Sequence, residues 1–206
     1  MAEMTAAHIS HGTEDKTVKA HNENLKLAVW LYLASEVVIF SIMIAGYVIF
    51  RFSQPDNVKN LHNELGIGLV TINTFILLAS SWAMVMALRA IQMGKRTQFL
   101  QFMGLVCLMG VIFMGGQFIE YTELSHLAVT LNSTTEEFGA IGMRFYAPTF
   151  FHGVHVFIGV LIALQVMWLG RKGYYDTNPI GVELFGLYWH FVDVVWIMLF
   201  TLIYLI

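Results

Sequence analysis

The chain has 206 residues, 57% of them hydrophobic and only 12% charged, with a mean hydropathy of +0.67, which excludes a soluble domain clothed in charge. Its net charge of -3 is small and its eleven Lys and Arg lie in scattered short clusters, so there is no basic face for nucleic acid. The single cysteine, Cys107, lies inside an apolar run; a disulfide framework or a Cys-based zinc or iron–sulfur site within the chain is therefore excluded, and Cys107 reads as a small buried residue.

Residues 1–24 are polar, with His8, His11 and His21 among Thr, Asn, Glu and Lys. They lack the apolar core and small-residue cleavage site of a signal peptide, and read as a retained, mobile tail. Three histidines without a fixed helical or hairpin spacing are a weak metal trap. Five apolar runs follow: Leu25–Phe52, Leu65–Ala90, Phe99–Phe118, Phe145–Leu169 and Val182–Ile206. Each reaches the ~20 residues that a helix needs to cross ~30 Å of hydrocarbon. The connections are short and polar, as in Ser53-Gln54-Pro55-Asp56-Asn57 and Gly94-Lys95-Arg96-Thr97, and the loop Thr122–Gly142 reads as a solvated connector on the outer side. The predicted fold is all-α, an integral membrane bundle of five helices over residues 25–206.

Lys16, Lys19, Lys26, Arg89, Lys95, Arg96, Arg171 and Lys172 fall on one side, against Arg51, Lys59 and Arg144 on the other. The basic excess predicts a cytoplasmic N-terminus and, after five spans, a C-terminus outside. Trp30, Trp82, Trp168 and Trp189 lie in the outer turns of their runs, where indoles settle at headgroup level. Ala79, Ala83 and Ala87 form a narrow stripe that favours close approach of a neighbouring helix.

The residues that break the apolar pattern carry the chemistry: Glu36 in the first run, His152 and His155 in the fourth, His190 and Asp193 in the fifth. An acid at the bilayer centre costs about 3 kcal/mol on insertion scales, so such groups require partners. At 1.5 Å per residue Glu36, His155 and Asp193 all lie roughly 15–16 Å from a helix end, near the midplane. His152 and His155 share a helix face, as do His190 and Asp193; a four-membered hydrogen-bonded cluster joining the fourth and fifth helices is expected. Gln117, Glu120 and Tyr121 close the third run, where water or headgroups would solvate them. Three readings of the cluster stand: a metal or haem site, a proton relay with Glu36, or buried polar groups that lock helices together.

The runs also contain motifs. Trp30-Leu31-Tyr32-Leu33-Ala34-Ser35-Glu36, with Phe40 after it, fits W-x-x-L-x-S-E-x-x-x-F, and Asn73-Thr74-Phe75-Ile76-Leu77-Leu78-Ala79-Ser80-Ser81 fits N-T-x-x-L-L-x-S-S. Gly116-Gln117-Phe118-Ile119-Glu120-Tyr121, Phe151-His152-Gly153-Val154-His155-Val156-Phe157-Ile158-Gly159 and Tyr188-Trp189-His190-Phe191-Val192-Asp193-Val194-Val195-Trp196 complete the set. Five motifs in this order resemble subunit III of the haem–copper respiratory oxidases, over nearly everything after residue 24, in a five-helix form that lacks the N-terminal pair of the seven-helix members.

The resemblance implies a non-redox subunit of a proton-pumping, oxygen-reducing terminal oxidase in a bacterial inner membrane, without catalytic residues or metal of its own. It implies haem and copper in partner subunits, direct packing on subunit I, a complex with subunit II and a small subunit IV, and bound phospholipid. His152, His155, His190, Asp193, Gln117 and Glu120 become buried polar or lipid-associated groups, and Glu36 a candidate in proton uptake. The first- and third-run motifs resemble the cytochrome c branch more than the quinol branch, which stays as the alternative. A haem-bearing anchor would show a Soret band on the isolated chain, and a small transporter would show flux when the chain is reconstituted alone.

Overall fold

The computed structural model describes residues 2–55, 67–126 and 141–205, with side chains described over 17–55, 67–124 and 143–205. His8, His11, Lys16 and Lys59, together with Asp56-Asn57 and the polar loop Asn132–Glu137, lie outside the residues so described. Among the described residues every regular element is helical: α1 Ala2–Ser53, α2 Ile67–Gln92, α3 Arg96–His126, α4 Ile141–Arg171 and α5 Ile180–Leu199, the last continued by a π-helical stretch, Phe200–Leu205. All five contain spans long and apolar enough to cross a membrane: Thr17–Ser53, Ile67–Gln92, Arg96–Leu124, Met143–Arg171 and Ile180–Leu205. The backbone is helical from Ala2, so the polar residues 2–24 belong to α1 as one helix. Four of the five spans are longer than the apolar runs, α2 being shifted rather than lengthened, because polar residues at helix ends still satisfy the backbone within the helix. At its C-terminal end α3 continues past Phe118 to His126.

The chain forms two compact units, Met1–Val37 and Val38–Ile206. The first is the greater part of α1 by itself. In the second, α2 packs on α3, α3 on α4, α4 on α5 and α5 back on α2, closing a four-helix ring. Lipid tails are as apolar as leucine, so no hydrophobic force drives these helices together; small residues that permit close packing and hydrogen bonds between helices do. Glycines supply the close approach. A Cβ on Gly110 of α3 would stand 2.7 Å from Val160 and 3.1 Å from the Trp189 indole, and one on Gly159 of α4 would stand 2.6 Å from the same indole. Trp189 thus fills a slot floored by two glycines. It is fully buried, which corrects its sequence reading as a headgroup-level residue; Trp30, Trp82 and Trp168 are more than half exposed. Likewise Ala83 and Ala87 are fully buried while Ala79 is exposed, so the small face of α2 is Ser80, Ala83 and Ala87, set by the 3.6-residue turn.

Two turns at one end of the ring repeat a single device. After α2, Gly94 takes φ +71° while the Gly94 N–H donates to Ile91 O and the Lys95 N–H to Ala90 O. After α4, Gly173 takes φ +83°, with Gly173 N–H to Gly170 O and Tyr174 N–H to Leu169 O. Both are Schellman closures, which need the left-handed conformation that glycine adopts without a Cβ penalty. An Arg96–Asp176 ion pair ties the two turns together.

Candidate functional site

The polar side chains inside the ring belong to three layers, each built on α2 or α3 and capped by α5. In the first, the Trp189 indole N–H donates to Ser80 Oγ at 2.9 Å, and Ser80 donates onward to the Leu77 carbonyl. His190 Nδ1 and the Ser81 hydroxyl share a 2.5 Å hydrogen bond. Asp193 is buried one turn further along α5; neither of its oxygens has a hydrogen-bond partner, although the Ser81 hydroxyl lies beside its carboxyl. In the second layer, the Trp196 indole N–H donates to Thr74 Oγ1 at 2.9 Å, and the Asn73 amide donates across to the Phe113 carbonyl at 2.8 Å. Gly116 makes room for that amide, since a Cβ there would meet Asn73 at 2.4 Å.

His152 and His155 sit on α4 as their spacing predicts, both buried, but their partners are not those expected. The His152 ring stacks on Trp196 with centroids 4.9 Å apart and receives Phe113 edge-on at 5.8 Å. Neither of its nitrogens has a hydrogen-bond partner. His155 Nδ1 pairs with the Phe151 carbonyl at 2.9 Å, so that nitrogen carries the proton, and the Tyr188 hydroxyl donates to the His155 carbonyl. Phe40, Phe151 and Tyr188 surround the His155 ring. The expected four-membered His–His–His–Asp cluster is therefore not formed. Helical spacing put each pair on one face correctly; it carried no information on which neighbour the face meets, and α2 hydroxyls and aromatic rings occupy the places given to the other pair.

The third layer is the largest departure. Gln117 and Glu120, expected at a solvated helix end, lie in mid-helix because α3 continues to His126, and they are only 6% and 2% exposed. Gln117 Nε2 donates to Glu120 Oε2 at 3.2 Å, and the Tyr204 hydroxyl donates to the same oxygen at 3.1 Å. Tyr121 packs edge-on against Tyr146 with centroids 5.1 Å apart. Tyr204 comes from the π-helical end of α5, whose wider turn leaves carbonyls short of partners; Arg51 Nη1 serves one of them, donating to Leu202 O at 3.3 Å. Beside it the Arg144 guanidinium lies over the Phe50 ring, 4.6 Å from its centroid. A cleft of about 290 Å³ opens next to this layer between α3 and α4, lined by Phe113, Gln117, Tyr121, Phe150 and Phe157 among others.

Glu36 belongs to the first unit. It stands near the middle of the α1 span, one turn after Tyr32 and within hydrogen-bonding reach of it. Among the described residues no group of three His, Cys, Asp or Glu side chains is placed to hold a metal ion.

The aromatic enclosure of His152 has a direct consequence. Phenylalanine keeps the stacking and removes two buried ring nitrogens that make no hydrogen bond, an exchange that is near neutral or stabilising. His152→Phe should therefore leave the yield and thermal stability of the assembled protein unchanged or slightly raised. A loss of stability above ~1 kcal/mol in thermal denaturation would mean that the ring holds a buried water or another ligand.

The family model for cytochrome c oxidase subunit III matches residues 3–206. The chain is 37% identical to cytochrome c oxidase subunit 3 of Synechocystis sp., covering 97% of this chain and 80% of that protein. It is 34% identical to cytochrome c oxidase subunit 3 of Thermostichus vulcanus, over 98% and 94%. Quinol oxidase subunit 3 of Bacillus spizizenii is 29% identical over 96% of each chain. Five spans and these bacterial respiratory relatives make it a multi-pass protein of the bacterial inner membrane. With its five motifs on five successive membrane helices and a match that runs almost from end to end, the chain belongs to the cytochrome c oxidase subunit III family.

Proposed function

We propose that the chain is the non-redox subunit III of a proton-pumping terminal oxidase, that it packs directly on subunit I, and that it acts by holding lipid and supporting proton uptake rather than by catalysis. The observation that carries the reading is the family match over residues 3–206. Haem and copper belong to the partner subunits, and subunit II and a small subunit IV complete the complex. The lean to cytochrome c over quinol as donor is supported by the identities: 37% and 34% to the cytochrome c oxidase subunits, 29% to the quinol oxidase subunit. The basic excess at the Arg89, Lys95, Arg96, Arg171 and Lys172 end supports a cytoplasmic N-terminus and an outer C-terminus.

The test is native purification through a tag on this chain, with mass spectrometry of the partners and visible spectra before and after its dissociation. Haem–copper subunits should co-purify and keep all the visible absorbance. A chain that runs alone with a Soret band would overturn the reading.

Glu36 is the residue through which the subunit reaches proton chemistry. A carboxyl in mid-span costs about 3 kcal/mol on insertion scales, a cost that selects for use. Glu36→Gln keeps the shape and removes only the ionisable group. It should leave assembly intact and slow proton uptake at alkaline pH, where proton supply limits turnover. Unchanged uptake kinetics in the assembled variant would remove Glu36 from the proton path and leave it a structural partner of Tyr32.

A further inference from the structure

One acceptor of the second layer is left over. The Phe113 carbonyl can only accept a hydrogen bond, so the Asn73 amide must turn its nitrogen to it. That fixes Oδ1 at the other end of the amide, where it accepts no hydrogen bond among the described residues. The Asn73 side chain is only 4% exposed, yet Oδ1 is not among the atoms sealed inside the bundle. It borders a groove of about 580 Å³ on the outer face of the α2–α3 pair, and Asn73 is the only polar side chain that lines it. Ile72 of α2 and Ile112 and Ile119 of α3 form the walls, and Gly115 and Gly116 the floor. The two glycines have separate tasks. Gly116 makes room for the Asn73 amide, whereas a Cβ on Gly115 would meet nothing within 4 Å; Gly115 keeps the groove empty and serves no contact inside the chain. The lining positions recur at helical spacing on both helices, so the groove runs along the helix axes for about two turns, roughly 10 Å.

We infer that this groove seats a transmembrane helix of another oxidase subunit, one that presents a hydroxyl or amide hydrogen to Asn73 Oδ1; the inference rests on the proposed membership of an oxidase complex. Depth selects the occupant first. Asn73 stands six residues inside the start of its span and Gly116 eight residues inside the end of its own, about 9 Å and 12 Å at 1.5 Å per residue. Irregular backbone does not occur at such depth facing lipid, which leaves a helix or an acyl chain. The part of α1 that belongs to this unit is engaged elsewhere, with Phe40 against Phe151 and His155 of α4 and Phe191 of α5. Chemistry then separates helix from acyl chain. Hydrocarbon has no donor and would leave the amide oxygen unsatisfied where water does not reach it. A helix with Ser, Thr, Asn or Gln at the contact supplies the donor, and a glycine floor lets its backbone come close, which is how membrane helices associate.

The experiment uses the complex purified through a tag on this chain, with photoreactive benzoylphenylalanine in place of Ile72, which is 64% exposed on the rim of the groove. Illumination should join Ile72 to one transmembrane segment of another subunit, with a Ser, Thr, Asn or Gln within one turn of the joined residue. Gly115→Leu fills the groove and should lower the yield of that cross-link at least about fivefold, the lower end of what over-packing costs. Gly153→Leu adds the same bulk at an α4 glycine whose Cβ likewise meets nothing within 4 Å; it should leave the yield unchanged, which separates a blocked groove from a misfolded chain. A cross-link into lipid alone, into a second copy of this chain or into a segment without a donor would overturn the inference, as would equal loss in the two glycine variants. In each of those cases the other subunits still co-purify and the proposed function stands; a chain that brings down no other subunit overturns both.

Discussion

Gly159→Ala should destabilise the assembled subunit by about 1–3 kcal/mol, whereas Gly153→Ala, six residues earlier on the same helix, should not. The substitutions are chemically identical, and both replace a helical glycine with the better helix former. They differ in what the methyl group meets. At Gly153 there is nothing within 4 Å. At Gly159 the new Cβ would stand 2.6 Å and 2.9 Å from two ring carbons of Trp189 and 3.2 Å from Tyr188. The indole cannot yield by rotating a flexible tip: its N–H is held by Ser80 on α2, and its six-membered ring is also against Gly110 of α3. Either α4 moves off α5 or the Trp189–Ser80 bond breaks, and over-packing of a filled core costs ~1–3 kcal/mol. For a chain of this size ~1 kcal/mol lowers the melting temperature by roughly 2–4 °C, so the pair is distinguishable in thermal denaturation of the purified complex. Equal melting temperatures would mean that the slot around Trp189 is looser than the contacts indicate.

How much of this was legible beforehand depended on which interaction sets each feature. Membrane spans are set by length and apolarity within one segment, and all five were readable. Helix ends were less so: Gln117 and Glu120 looked like a terminus because polarity rises there, yet the helix runs on to His126, since lipid-excluded backbone favours continued helix even through polar residues. Partner choice was not readable at all. The face shared by His152 and His155 follows from a spacing of three residues, but His152 meeting Trp196 rather than Asp193 depends on the rotation of α5 about its axis. Ser81, Asn73, Thr74 and Ser80 had a visible signal, four polar residues in an apolar run, and were quoted for their motif without being read as hydrogen-bonding partners. Tyr204 had none, because a tyrosine near the end of a span is ordinary at an interface.

Tyr204→Phe tests the layer that sequence reasoning placed in water. Removing the hydroxyl takes one of the two hydrogen bonds accepted by Glu120 Oε2, in a position where water does not reach a residue 2% exposed. A buried bond of this kind contributes about 1–3 kcal/mol, more when its acceptor is ionised. The single variant should therefore lower the melting temperature of the complex by several degrees. The ring itself is kept, so its contacts with Phe145, Trp196 and Phe200 are not disturbed and the loss belongs to the hydroxyl. Glu120→Leu is harder to read alone. It leaves the Tyr204 hydroxyl and the Gln117 amide without an acceptor but also removes a buried acid, and the opposing effects are each about 1–3 kcal/mol. Combined with Tyr204→Phe it becomes decisive. If the two groups are hydrogen-bonded, deleting the hydroxyl after Glu120 is gone removes an orphaned donor and should cost nothing or stabilise, giving a coupling of about 1 kcal/mol or more. Additivity within ~0.5 kcal/mol would separate Tyr204 from Glu120, and the π-helical end of α5 would then serve packing alone.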